Sequence, residues 1–206
     1  MLREGFEDMV DQGLAYNQSS VNLGTSPVGM CVQSDMKLTA DDISTEESLR
    51  DTLLNDCETI AVSDSASGRY MISDVYPALG IESEMNNRTN VISSDETGRV
   101  GTLVVEGDER ARCAFQQVPE LLETECEYVG NIPSSLQKYS DFVGGIAKSI
   151  DPGHFDAANL MLYFLSSPAD APVIEHSGMV PGTPAVPGGW TRVSYSYVLG
   201  EGMHQE

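Results

Sequence analysis

A β-leaning apolar run, Thr59-Ile60-Ala61-Val62, empties into Ser63-Asp64-Ser65-Ala66-Ser67-Gly68, and a helix-patterned stretch from Arg69 to Leu79 follows at once, with Gly80 as its stop. A strand that turns through small hydroxylic residues straight into a helix is the junction of an α/β fold. It leaves the first-turn N–H groups of that helix without intrahelical partners. Such an end carries about half a unit of positive charge and suits an anion. Ser63, Ser65 and Ser67 add hydroxyl donors, Ala66 and Gly68 let a ligand approach the backbone, and Arg69 adds charge nearby. The plainer reading of the same stretch is an N-capped βα turn.

The remaining pattern repeats this rhythm. Leu2, Phe6, Met9, Val10 and Leu14 recur at helical spacing with Gly13 near the stop, and Val28–Val32 reads as a buried strand. Ser44 and Glu47 form a capping box ahead of a helix over Glu46–Asn55. Short strands are expected at Val91-Ile92, Cys113–Phe115 and Tyr128-Val129, with helices over Asp95–Val105 and from Val118. Phe142–Ile150 reads as a central strand. Ala157, Leu160, Met161, Phe164 and Leu165 form the apolar stripe of the strongest helix, expected to face the core. A short helix to His176 follows, then a Pro- and Gly-rich loop, and Trp190–Leu199 alternates like an edge strand. Strands alternating with helices predict an α/β fold with largely parallel sheets, which bind ligands beyond the carboxyl ends of their strands.

Charge narrows the partners. The 206 residues hold 32 acidic against 11 basic side chains, a net −21, and the acids are spread along the chain. Nucleic acids and anionic membranes need clustered Lys and Arg, so neither is a partner. No run of about 18 apolar residues occurs and the N-terminus lacks the apolar core of a signal peptide, so no membrane insertion and no export signal are expected. Cys31, Cys57, Cys113 and Cys126 form no CxxC pair, and they read either as disulfides of an exported chain or as small buried hydrophobes. His154, His176 and His204 are too scattered to make a metal set, and adjacent acids such as Asp41-Asp42 and Asp108-Glu109 read as solvated. GxxxxGK[ST], GxGxxG and GxSxG are all absent around Ser63–Gly68, which argues against nucleotide binding and a serine-hydrolase elbow. No cofactor is implied.

Four ordered segments carry a resemblance: Ser63–Ile81, Cys113–Leu122, Ile132–Tyr139 and Ala157–Met179. Together they resemble the substrate-binding proteins of molybdate and tungstate ABC importers, of the periplasmic-binding-protein type II fold. The resemblance implies two α/β lobes with mostly parallel sheets and a small oxyanion in the cleft between them. It implies delivery to a membrane ABC permease, a non-enzymatic role, and a periplasmic or extracellular location. It places ligand contacts on Ser65, Ala66, Ser67 and Gly68, on the helix start near Gly98 to Gly101 through the Val100 N–H, and on Gln116 or Gln117. It also implies that the first lobe is truncated here, with residues 1–58 as partial first lobe and crossover, 59–140 as second lobe, and 141–206 as the return to the first. A sensory or protein-interaction module reusing the fold without transport is the alternative.

Overall fold

The computed structural model describes residues 1–93 and 99–182. The expected strand at Trp190–Leu199, His204, Gly98 and the start of the helix expected from Asp95 lie outside the described residues. Two units emerge. One comprises Met1–Thr25, Asp141–Ile174 and the segment from Val180; the other comprises Ser26–Ser140 and Glu175–Met179.

The second unit is built on a five-stranded sheet. Its strands are β2 (Val28–Val32), β3 (Ile60–Ser63), β4 (Thr89–Ile92), β5 (Cys113–Gln117) and β6 (Glu127–Asn131), in the spatial order β4-β3-β5-β2-β6. β3 runs parallel to β4 and β5, while β2 runs antiparallel to both β5 and β6. Because β2 is an inner strand of this sheet, the unit begins at Ser26 rather than at the expected boundary of 58/59.

Each face of the sheet is covered, as parallel strands require. On one face Met30, Ile60, Val62 and Phe115 pack with Leu49 and Leu53 of α2 (Glu46–Asn55). The same core takes in a continuous helical rod made of α3 (Ala66–Tyr70), a π-helical turn (Met71–Val75) and α4 (Tyr76–Leu79). Tyr76 is fully buried, its hydroxyl accepts from Thr89 Oγ1 at 3.2 Å, and burial pushes the phenol up to about 12. Gly80, at φ 67°, ends the rod in the left-handed conformation that glycine adopts without strain. A short helix, α5 (Glu82–Met85), leads into β4. On the opposite face Cys31, Ala61 and Ala114 pack with Val100, Leu103 and Val104 of α6 (Val100–Glu106) and Leu121 of α7 (Val118–Leu122).

The expected capping box shifts by one residue. Ser44 closes a 3-10 turn over Ala40–Ile43, and Thr45 caps α2, its hydroxyl accepting from Ser48 N–H at 3.1 Å while Ser48 Oγ accepts from Thr45 N–H at 3.0 Å.

The first unit holds α1 (Arg3–Asp11) and a three-stranded sheet of order β7-β1-β8, from β1 (Val21–Ser26), β7 (Ser140–Gly144) and β8 (Val180–Pro181), with β8 antiparallel to β1. The stretch expected as a central strand at Phe142–Ile150 is instead the edge strand β7, ending at Gly144. Two glycines lie at this end under close packing: a Cβ on Gly144 would lie 2.6 Å from Leu162, and one on Gly145 would lie 2.0 Å from the Phe6 ring.

The helix α8 (Phe155–Leu165) reverses the expected facing. Leu162, Phe155 and Ala158 pack with Val21, Ile146 and Tyr16, whereas Leu160, Met161 and Phe164 are exposed, Met161 and Phe164 by more than half. α8 has apolar residues on all sides, so helical spacing alone offers two stripes. The last helix, α9 (Ala171–His176), precedes β8.

One disulfide, Cys57–Cys113, joins the segment before β3 to the first residue of β5 across a sequence separation of 56. Restricting the unfolded chain over a loop of that size contributes about 4 kcal/mol. Urea unfolding with and without dithiothreitol should therefore show a large loss of stability on reduction, and a Cys57→Ser/Cys113→Ser chain should match the reduced protein.

Candidate functional site

Because β4, β3 and β5 are mutually parallel, their carboxyl ends lie at one edge of the sheet, and β3 and β5 each turn there directly into a helix. At the centre, β3 ends on Ser63 and α3 starts at Ala66, three residues earlier than sequence periodicity predicts. Ser67 and Gly68 consequently sit in the first helical turn, and both are buried.

Gly68 is the reason the junction is so tight. A Cβ at this position would stand 1.8 Å from the Ser63 carbonyl oxygen and 2.9 Å from the Ser63 nitrogen, so only a residue without a side chain lets the helix rest on the strand end. That contact brings three hydroxyls into a chain. Ser63 Oγ and Ser65 Oγ are 2.6 Å apart, and Ser65 Oγ and Ser67 Oγ are 3.2 Å apart. Ser65 is the N-cap, but its side chain accepts no capping hydrogen bond and is held by its serine neighbours instead. Arg69 swings back, its guanidinium donating to the Asp64 carbonyl at 2.8 Å, and so fixes the turn.

The β5 side of the edge supplies amides. Gln116, 2% exposed, accepts from the Val100 N–H at 3.1 Å through Oε1. The Val100 N–H expected to face a ligand is thus committed to Gln116, because a buried donor at the start of a helix needs a partner. Gln117, the last residue of β5 and the N-cap of α7, is 4% exposed, and its Oε1 is a buried acceptor with no hydrogen-bond partner.

Two charged residues near Gln116 were not legible as site members in the sequence. Arg99, the N-cap of α6, pairs with Glu123. Glu120 lies in the first turn of α7; burial raises its carboxyl above the ordinary value, against the lowering effects of a hydrogen bond with Gln116 and the charge of Arg99. Only the three-dimensional neighbourhood of Gln116 singles either of them out.

Ser65, Ala66, Ser67 and Gly68 therefore form one hydroxyl-lined turn, and Val100, Gln116 and Glu120 form a second, hydrogen-bonded group. Among the described residues no group of three or more His, Cys, Asp or Glu could hold a metal ion. No helix of the described residues is long and apolar enough to cross a membrane.

Comparison with known proteins decides the lineage. The sequence model for bacterial extracellular solute-binding proteins matches residues 4–180. The chain belongs to that family. Among curated relatives of this solute-binding protein, an aconitate isomerase from Pseudomonas sp is 31% identical over 189 residues, covering 91% of this chain and 68% of the relative. Among solved structures, the substrate-binding domain attributed to a molybdenum ABC transporter from Clostridium difficile superposes with a TM-score of 0.64 at 16% identity, over 86% of this chain and 73% of that one. The periplasmic molybdate-binding protein of Azotobacter vinelandii follows at 0.59 and 14% identity, over 86% and 74%. The fold is accordingly the mixed α/β architecture of the periplasmic-binding proteins.

Two outcomes test this geometry. Gly68→Ala should lower stability by about 1–3 kcal/mol, as overpacking does in a close-packed core, and should show it as a reduced urea midpoint at unchanged slope. For Glu120, a raised folded-state value means that its contribution to stability is present at low pH and is lost as pH rises through that value. Glu120→Gln should therefore gain stability relative to the parent chain between about pH 4 and pH 7, read from parallel thermal melts across that range.

Proposed function

We propose that this solute-binding protein captures a small oxyanion, with molybdate or tungstate as the class it fits best, and presents it to a membrane ABC permease from the periplasmic or extracellular side. The observation that carries the reading is the serine turn at the head of the α3–α4 rod, where the buried Ser63 and Ser67 and the exposed Ser65 place three hydroxyls in one chain. A hydroxyl can turn its proton toward an anion, and the first-turn N–H groups add donors and a favourable dipole. Such a site uses neutral groups, so a ligand with no counter-cation of its own can be held by a chain of net charge −21.

A second reading rests on the 31% identity to an aconitate isomerase. The anion would then be a small carboxylate, which asks for the same hydroxyl and N–H donors, and the chain would move a proton between carbons of the bound ligand. Glu120, with its raised carboxyl beside Gln116, is the group suited to that transfer.

Calorimetric titration separates the two. Tight binding of molybdate and tungstate over sulfate, weakened about tenfold or more by Ser67→Glu through like-charge repulsion, is the expected result. Tight binding of aconitate with isomerisation that Glu120→Gln abolishes would favour the second reading. A folded chain that takes up none of these anions would remove both.

A further inference from the structure

Cys57 and Cys113 are joined, but the other two cysteines, Cys31 and Cys126, carry free thiols and have come together as well. Cys31 is the penultimate residue of β2, 0% exposed, in the small core beneath α6 and α7. Cys126 is the residue just before β6, half-buried, and packs against that same core. The strand register, with Val32 opposite Glu127 and Cys31 opposite Tyr128, carries Cys126 to the Cys31 side of the β2–β6 pair. The two thiols hydrogen bond to each other, and Cys126 Sγ also donates to the Leu121 carbonyl at 3.5 Å. Cys126 lies outside the strand ladder and follows Glu125, a left-handed residue at φ 59°.

We propose that Cys31 and Cys126 are a second disulfide-forming pair, closed in the folded protein by thiol–disulfide exchange with an external disulfide. The site sits on the face of the sheet opposite Cys57–Cys113, since Cys113 belongs to the α2 and α4 core and Cys31 to the α6 and α7 core. The roles follow from exposure. Cys126, reachable from solvent, is the attacking thiolate: it bonds to one sulfur of the external disulfide and expels the other as a thiol. Cys31, buried against it, then attacks the Cys126 sulfur of the mixed disulfide and expels the second external thiol. Two protein thiols are oxidised, one external disulfide is reduced to two thiols, and both protons leave with those thiols. The Cys31 S–H hydrogen bond, supported by Thr124, lowers the Cys126 thiol from its ordinary value, while the Cys31 thiol is raised by that same contact and by burial. The division of labour between nucleophile and resolving thiol is the one those directions favour. The product staples the edge strand β6 to the antiparallel β2.

The test exposes the native chain to oxidised glutathione, blocks remaining thiols with N-ethylmaleimide after unfolding, and reads the intact mass and a non-reducing peptide map. The expected result is loss of both blockable thiols, a peptide linked through Cys31 and Cys126, and no retained glutathione; the same link already present in the purified chain supports the proposal equally. Cys31→Ser should trap glutathione on Cys126, and the oxidised parent should melt at a higher temperature than its Cys126→Ser variant. The proposal is overturned if the folded parent keeps both thiols through prolonged exposure, or if glutathione stays on Cys126 while Cys31 remains free. Since the decisive reading is made on the parent chain, it does not depend on whether either variant folds.

Discussion

The approach of Gly68 to the Ser63 carbonyl is the contact on which the rest of the second unit is arranged. A helix cannot sit that close to a strand end if any side chain intervenes. Once it does, the rod from Ala66 to Leu79 is fixed over the sheet, and Met71, Val75 and Tyr76 fall into the core beside Phe115. The serines are carried along: their spacing is a by-product of where the helix begins. A packing requirement and a chemical opportunity therefore share one residue. At α6 a Cβ on Gly101 would meet Thr124 Oγ1 at 2.2 Å, so that helix start also packs closely, here against a side chain rather than a strand end.

Arg69 is occupied with the Asp64 carbonyl and Arg99 with Glu123, so the described basic groups closest in sequence to these helix starts serve the local structure. Beside Asp64 and Arg69 the turn also offers dipoles: hydroxyls that can rotate and a helix end. Dipoles of this kind hold an anion at no cost in counter-charge and discriminate by shape and by the number of donors.

How far the sequence alone revealed this can be judged element by element. β2 and α2 appear with the bounds the pattern predicts, because each has an unambiguous local signal: an apolar run bracketed by polar residues in one case, a cap and a regular stripe in the other. The turn at Ser63–Gly68 stands out for the same reason, whereas Gln116 and Gln117 are named only by the family resemblance. β1 was missed, since Val21–Ser26 contains Asn22, Gly24 and Thr25 and has neither a clear alternation nor an apolar run. Its strand character comes from pairing with β8, a partner distant in sequence. The resemblance gives the Val100 N–H to a ligand, and nothing local announces that Gln116, sixteen residues on, reaches it. The Cys57–Cys113 pairing was equally invisible: it exists because Ile60 and Cys113 are opposite each other in the β3–β5 ladder, and ladders are written in contacts rather than in spacing. Local signals set where elements begin; pairing across the sheet decided which residues meet.

The outward-turned stripe of α8 has a consequence for the chain as a colloid. Leu160, Met161 and Phe164 present a sticky patch on a particle whose net charge is −21. At low ionic strength the Debye length is about 30 Å, and mutual repulsion keeps such particles apart before their apolar faces can meet. In molar salt it shrinks to about 3 Å, the repulsion no longer reaches across a side chain, and the short-range attraction between stripes is left unopposed. Salt therefore weakens the repulsion, spread over the whole surface, that offsets the adhesion of this helix face.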